Sequence, residues 1–164
     1  MRSKYTICLV ATLAGAFITA RAISAAESPG GATNLTLAPD LSFTDDSSAN
    51  FPIRGVDLGA GELGRDVPTV VFFGTSHCFN TNREAERFVA FAARHRENAR
   101  FLVVDLDHPS ASQRALVRRF YRGYIPTLAF VAPSGRVAYD KSGETSSRRG
   151  DTSKLEEILA GAIR

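Results

Sequence analysis

Residues Val70 to Thr81, reading Val-Val-Phe-Phe-Gly-Thr-Ser-His-Cys-Phe-Asn-Thr, constrain the fold of this chain more than any other stretch. Four apolar residues in a row, in a run that starts at Val67 and ends at Phe73, predict a strand buried on both faces. The run breaks at Gly74, passes through small polar residues and reaches Cys78, after which a helical pattern begins. A thiol placed where a buried strand gives way to a helix lies at the positive end of the helix dipole, which favours thiolate.

The elements around this stretch follow from periodicity and punctuation. Leu35 to Thr44 alternates around Ala38-Pro39-Asp40 and predicts a short edge strand or hairpin, and Phe51 to Val56 a second short strand. Gly59 to Asp66 is a Gly-rich connection. From Asn80 or Thr81 to about Arg96 a helix is expected, with Ala85, Phe88, Val89 and Ala92 on one face and Arg83, Glu86, Arg87 and Arg94 on others. Phe101 to Val104 predicts a second buried strand. Pro109-Ser110 opens a helix carrying Leu116, Val117, Phe120 and Tyr121, stopped by Gly123. Leu128 to Val131 and Arg136 to Lys141 predict a hairpin about Pro133-Ser134-Gly135. Asp151 or Thr152 caps a last helix with Leu155, Ile158, Leu159 and Ile163 on its apolar side. From Val67 the order is therefore strand, helix, strand, helix, strand, strand, helix. Two crossovers predict parallel pairing and the hairpin one antiparallel strand. The fold class expected is α/β: a central mixed sheet flanked by helices on both faces, with an N-terminal extension.

Residues 1–26 read as a signal peptide: Arg2 and Lys4 precede an apolar run from Tyr5 to Ile18, and Ser24-Ala25-Ala26 offers a cleavage site. The run is shorter than the roughly 20 residues of a spanning helix, and an uncleaved membrane anchor is the alternative. This divides the chain into a leader (1–26), an extension with short strands (27–66) and a domain (67–164), and it predicts a periplasmic or secreted protein. Charge points the same way. The net charge of +3 comes from the leader, which holds three basic residues and no acid; the remainder has 17 basic and 17 acidic residues. A neutral body argues against nucleic acid as a partner and confines membrane contact to an uncleaved leader. Asn34-Leu35-Thr36 is an N-glycosylation pattern, relevant to a eukaryotic source.

Of the 2 cysteines, Cys8 lies in the leader, so Cys78 remains as one odd thiol in an oxidising compartment. That suggests an intermolecular partner or a reactive group. A buried, inert cysteine is the plainer alternative, but Thr75, Ser76, His77, Asn80 and Thr81 make its surroundings polar. No ligand cluster with metal spacing is present, and Asp105, Asp107 and His108 read as loop and cap residues. His95 reads as a solvated surface residue, and the Arg118, Arg119 and Arg122 group as a solvated helix face. No cofactor is expected.

The order of elements, the cysteine delivered by an apolar strand to a helix start, and Gly123-Tyr124-Ile125-Pro126-Thr127-Leu128 together resemble the thioredoxin superfamily over Val67 to Ile163. Ala38-Pro39-Asp40-Leu41 and the extension resemble the exported, membrane-facing thioredoxins of bacteria. The resemblance implies a cis Pro126 lying against the active cysteine, with Ile125, Pro126 and Thr127 forming the substrate-binding segment. It also exposes departures. The family's Trp-Cys-Gly-Pro-Cys becomes His77-Cys78-Phe79-Asn80-Thr81, so Cys78 is kept while Thr81 replaces the resolving cysteine and His77 the tryptophan. The family's buried acid falls on Phe72 and its lysine partner near Val103, which predicts an apolar interior there.

A two-cysteine thioredoxin clears its mixed disulfide with the second thiol. Thr81 has no thiol for that step, although its hydroxyl, or His77, could hydrogen-bond the Cys78 thiolate. Three functions are open. In the first, Cys78 forms a mixed disulfide with a protein or small-molecule thiol, and an external thiol resolves it. In the second, the frame is a non-catalytic binding module and Cys78 is vestigial. In the third, Thr75-x-x-Cys78 marks a peroxide-reactive thiol. The protein is expected to be a monomer.

Overall fold

The computed structural model describes residues 35–55, 63–141 and 150–164. The expected signal peptide, Asn34, part of the 59–66 connection and Arg148-Arg149 lie outside the described residues. Nine elements follow in order: β1 (Thr36–Leu37), β2 (Ile53–Arg54), β3 (Thr69–Gly74), α1 (Phe79–His95), β4 (Arg100–Asp105), α2 (Ala111–Phe120), β5 (Thr127–Val131), β6 (Val137–Asp140) and α3 (Ser153–Ile163).

The four longer strands form one sheet in the order β4-β3-β5-β6, and β1 pairs antiparallel with β2 in a separate ribbon. β3 is central and every residue of it is buried, as the continuous apolar run requires. Its alternate side chains enter two cores. Val70 and Phe72 join Phe101, Val103, Leu128 and Phe130 under α1 and α3. Val71 and Phe73 join Leu102, Val104, Ala129 and Val131 under α2. Helices thus cover both faces of a mixed sheet, the α/β architecture expected. Phe88 and Phe91 of α1 meet Phe101 edge-on, with ring centroids 5.7 and 5.8 Å apart. Each fully buried aromatic contributes about 1.5–3 kcal/mol of burial energy, so the seam between α1 and the sheet is the main anchor of the site-bearing helix.

The pairing corrects one expectation. β3 and β4 are parallel, but β5 runs antiparallel to β3, with Phe73 opposite Thr127 and Thr69 opposite Val131. The reason lies after α2. That helix ends at Phe120, not at Gly123, because Tyr121 is extended (ψ 136°) and its ring packs on Phe73, centroids 5.8 Å apart. Tyr121 therefore leaves α2 beside Phe73, at the end of the sheet where β3 finishes, and β5 starts from that end at Thr127.

Two further expectations change. The interior is apolar at Phe72 and Val103, as expected, but it is charged nearby: Glu84, Arg87 and Asp140 are 1%, 4% and 2% exposed. Arg87 Nη2 donates to both Glu84 oxygens (2.7 and 2.8 Å) and to Asp140 Oδ2 (2.6 Å), tying α1 to β6. Burial works against the Arg87 charge, and the two carboxylates more than offset it, holding its pKa above the ordinary value. His95 is not a solvated residue: its ring packs 4.7 Å from Phe91 and Nε2 pairs with Glu156 on α3. On α3, Leu155 and Leu159 are buried, while Ile163 is exposed.

Candidate functional site

The site is built at the end of β3. Gly74 closes the strand because a side chain has no room there: a Cβ would lie 2.5 Å from Thr81 Cγ2 and 2.7 Å from Phe72 Cε1. The chain then turns through Thr75, Ser76 and His77. His77 takes a left-handed backbone (φ 50°), a conformation in which histidine is tolerated and β-branched residues are not. Cys78 follows as the N-cap of α1, in extended conformation, with no side-chain capping bond. It is a free, half-buried cysteine. β3 and α1 thus deliver Cys78 to a helix start, where the sequence places it.

The other sequence-derived candidates gather around it unevenly. His77 is adjacent and exposed. Thr81 lies one turn along α1, fully buried, but its Oγ1 has no hydrogen-bond partner among the described residues, so the expected bond to Cys78 is not made. Its methyl packs under Gly74 instead. The Ile125–Pro126 peptide is cis. Since Phe73 pairs with Thr127, the antiparallel register brings Pro126 alongside Gly74, at the end of the sheet that bears Cys78. Pro126 and Thr127 are buried, Thr127 Oγ1 donating to Tyr124 O at 2.5 Å, while Ile125 and Tyr124 are 41% and 58% exposed. Lys141 Nζ lies 4.5 Å from the Tyr124 ring. Thr75 precedes the helix, so no helical turn relates it to Cys78.

Sequence reasoning missed two carboxylates. Asp46 Oδ1 accepts the N–H of Phe79 at 2.7 Å, and Asp107 Oδ2 accepts the N–H of Ser76 at 2.8 Å. One acid therefore holds the backbone on each side of Cys78. Asp46 belongs to a segment, 42–48, laid across the start of α1. Ser48 O accepts from His77 N (3.1 Å), Asn82 Nδ2 donates to Ser42 O and Ser48 Oγ (both 2.9 Å), and Arg83 Nε donates to Phe43 O (2.8 Å). Asn82 and Ser48 are 0% and 1% exposed. No spacing signal announces these contacts, since Asp46 and Phe79 are 33 residues apart.

Among the described residues no group of three or more His, Cys, Asp or Glu side chains could hold a metal ion. A groove of about 360 Å³ lined by Phe130, Val137, Ile158 and Ala162 lies between α3 and β5–β6. It is at the end of the sheet opposite Cys78, because Val131 pairs with Thr69, and takes no part in the site.

No protein-family model matches the chain, and no curated protein does. Solved structures do. The short form of thioredoxin f from spinach chloroplast is 18% identical, with 60% of this chain and 79% of that one covered and a TM-score of 0.47. A mutant thioredoxin from Halobacterium salinarum is 15% identical, covering 60% and 77%, with a TM-score of 0.46. Thioredoxin f2 in complex with ferredoxin:thioredoxin reductase is 13% identical, covering 58% and 78%, with a TM-score of 0.42. At these identities the likeness is one of fold, and chemistry has to be argued from Cys78 and its neighbours.

Proposed function

We propose that this is an exported protein, periplasmic or secreted, that carries out thiol–disulfide exchange through Cys78 alone. The observation that carries the reading is a free, half-buried cysteine at the N-cap of α1, at the end of the central strand. Such a thiol is reachable by a partner sulfur and has the helix's positive end behind it. The Cys78 thiolate attacks one sulfur of a disulfide R–S–S–R′. The Cys78–S–S–R bond forms as the original S–S bond breaks, and R′–S⁻ leaves and takes a proton. An external thiol then attacks the mixed disulfide, forms a new disulfide with R and returns Cys78 as thiolate. Thr81 offers no second sulfur, so this external thiol is obligatory. Ile125, Pro126 and Thr127 form the wall against which the substrate chain lies. Substrates are protein or small-molecule disulfides, and the protein acts as a monomer.

Incubating the folded protein with glutathione disulfide tests this. The expected product is one glutathione adduct by intact mass, absent in Cys78→Ser and released by excess reduced glutathione, together with no reduction of insulin in a two-cysteine thioredoxin assay. Absence of an adduct on the folded chain overturns the reading. It would favour the second one, a non-catalytic binding module, which Asp46 and Asp107 support because they set carboxylates on the backbone to either side of Cys78, where a further negative charge is disfavoured.

A further inference from the structure

Among the described residues three large apolar side chains are exposed, and two of them, Tyr124 and Ile125, stand together in the segment that leads into Pro126. Apolar side chains scattered singly over a surface are ordinary, whereas a contiguous patch with a polar rim marks an interaction site. Here the rim is cationic. Lys141 Nζ lies 4.5 Å from the centre of the Tyr124 ring and 5.9 Å from that of Tyr139, and the Arg122 guanidinium lies 5.5 Å from the Tyr139 ring. Arg122 is therefore not part of a solvated helix face: it lies past the end of α2, against β6. Positive charge at Arg118 and Arg119, in the last turn of α2, suits that helix's dipole, but Lys141, just past β6, has no helix end to serve. Arg122 Nη1 donates to Tyr121 O at 3.3 Å, and among the described residues no carboxylate pairs with Arg122 or Lys141. The ring faces hold both cations in place and leave most of their N–H donors free.

The carboxylates stand on the other flank. β4 and β6 are the two edges of the sheet. Asp105 ends β4 opposite Gly74, and Asp107 holds the Ser76 N–H. Lys141 follows Asp140, which pairs with Leu128, the neighbour of Thr127. The end of the sheet that bears Cys78 thus carries acids toward β4 and cations toward β6. We propose that Arg122, Tyr124, Ile125 and Lys141 form a docking surface for an extended, acidic polypeptide segment, whose apolar side chains cover Tyr124 and Ile125 while its carboxylates take hydrogen bonds from the two cations. The inference deepens the thiol-exchange reading and, in naming the substrate, rests on it: the disulfide that Cys78 attacks is flanked by acidic residues. Asp105 and Asp107 repel those residues from the β4 flank, so the segment docks in one direction. A lipid surface is read by clusters of about four to eight cations, whereas two cations beside two exposed apolar side chains fit a polypeptide.

The test is an NMR titration of isotope-labelled Cys78→Ser protein, which has no thiol to exchange, with a short synthetic peptide of alternating Glu and Ala around a central Ser. The same peptide with Gln or Lys in place of Glu is run beside it. Saturable amide shifts are expected in residues 122–125 and 139–141, with the Glu peptide bound at least about fivefold tighter than the Gln peptide and the Lys peptide not bound. Adding Arg122→Glu and Lys141→Glu should weaken the Glu peptide at least about fivefold, and the milder pair Arg122→Gln and Lys141→Gln by less. Arg96→Glu with Arg164→Glu, the same change of charge at the C-terminal ends of α1 and α3, should change its affinity less than about twofold. All variants are checked for native far-UV circular dichroism. Equal affinity for the Glu and Gln peptides, no saturable binding of either, or equal weakening by the two Glu double variants overturns the proposal. Binding of phosphatidylglycerol vesicles without binding of the Glu peptide also overturns it, in favour of a lipid surface. Binding of the Glu peptide with no glutathione adduct on the wild-type protein leaves the docking surface standing and removes the exchange reading. An adduct without peptide binding does the reverse.

Discussion

Replacing Arg87 by methionine should come close to unfolding this protein. The guanidinium is 4% exposed and lies between two carboxylates that are 1% and 2% exposed, Glu84 on its own helix and Asp140 on β6. Methionine keeps an unbranched apolar stem but is shorter and removes every donor, so the guanidinium between the two buried carboxylates is lost. Breaking a buried ion pair from one side costs about 3–5 kcal/mol, because the remaining charge keeps its desolvation penalty. Lys154 Nζ lies 3.9 Å from Asp140 Oδ1 and offsets part of the loss there, but its side chain is 59% exposed. Domains of this size have about 5–15 kcal/mol in total, so the variant is left with a small margin or none. The assay is urea denaturation followed by far-UV circular dichroism, since the chain has no tryptophan to report by fluorescence. The triple variant Glu84→Leu, Arg87→Met, Asp140→Leu should recover most of the loss, because exchanging a whole buried ionic group for apolar side chains is often neutral. A loss below about 1 kcal/mol in Arg87→Met, or a triple variant no better than the single one, would refute the argument.

Three smaller tests address single contacts. Gly74→Ala should lower the urea midpoint, since its Cβ falls 2.5 Å from the Thr81 methyl and forces the first turn of α1 to shift. Ser110→Ala should cost about 1 kcal/mol in the same assay, because Ser110 and Gln113 form a reciprocal capping box at the start of α2. Asp45 is held below the ordinary carboxylate value of 3.8 by hydrogen bonds from the Ser42 hydroxyl and from Ser47. Its contribution to the order of the 42–48 segment is present above 3.8 and lost as pH falls through the lowered value, so the Ser47 amide resonance should move over that acid range in wild type and not in Asp45→Asn.

What could be read in the sequence, and what could not, divides along physical lines. β3 was legible because burial on both faces leaves four apolar residues in a row. α1 was legible because Ala85, Phe88 and Ala92 repeat at helical spacing and all three are buried. The direction of β5 was not, because an apolar run looks the same whichever way it runs; its direction is decided by where α2 stops, and that depends on Tyr121 finding Phe73. The burial of Arg87, expected off the apolar face of its helix, was missed for a related reason. Glu84 and Arg87, three residues apart on a helix, look like an exposed pair, and only the long-range partner Asp140, 53 residues on, makes them core. Within the site, the positions of Cys78 and Thr81 followed from the strand and helix boundaries. Asp46 and Asp107 did not, because loop acids acquire meaning only from the backbone N–H they meet.

Thr81 separates a working side chain from a filling one. It replaces the thiol that would resolve a mixed disulfide, and its hydroxyl is a candidate donor to the Cys78 thiolate. In the structure that hydroxyl is fully buried and has no partner among the described residues. A buried hydroxyl without a hydrogen bond costs about 1–3 kcal/mol, so something other than hydrogen bonding holds the residue in place. Its methyl supplies the answer, since Cγ2 fills the space that Gly74 leaves open. Thr81→Val keeps that methyl and exchanges the hydroxyl for a second one. It should raise the urea midpoint, by about 1 kcal/mol of stability, and leave the rate of Cys78 alkylation unchanged. Slower alkylation at neutral pH in Thr81→Val would mean that the hydroxyl does reach the thiolate, and a lower midpoint would mean that it is satisfied in solution. Either result would return Thr81 to the chemistry of the site.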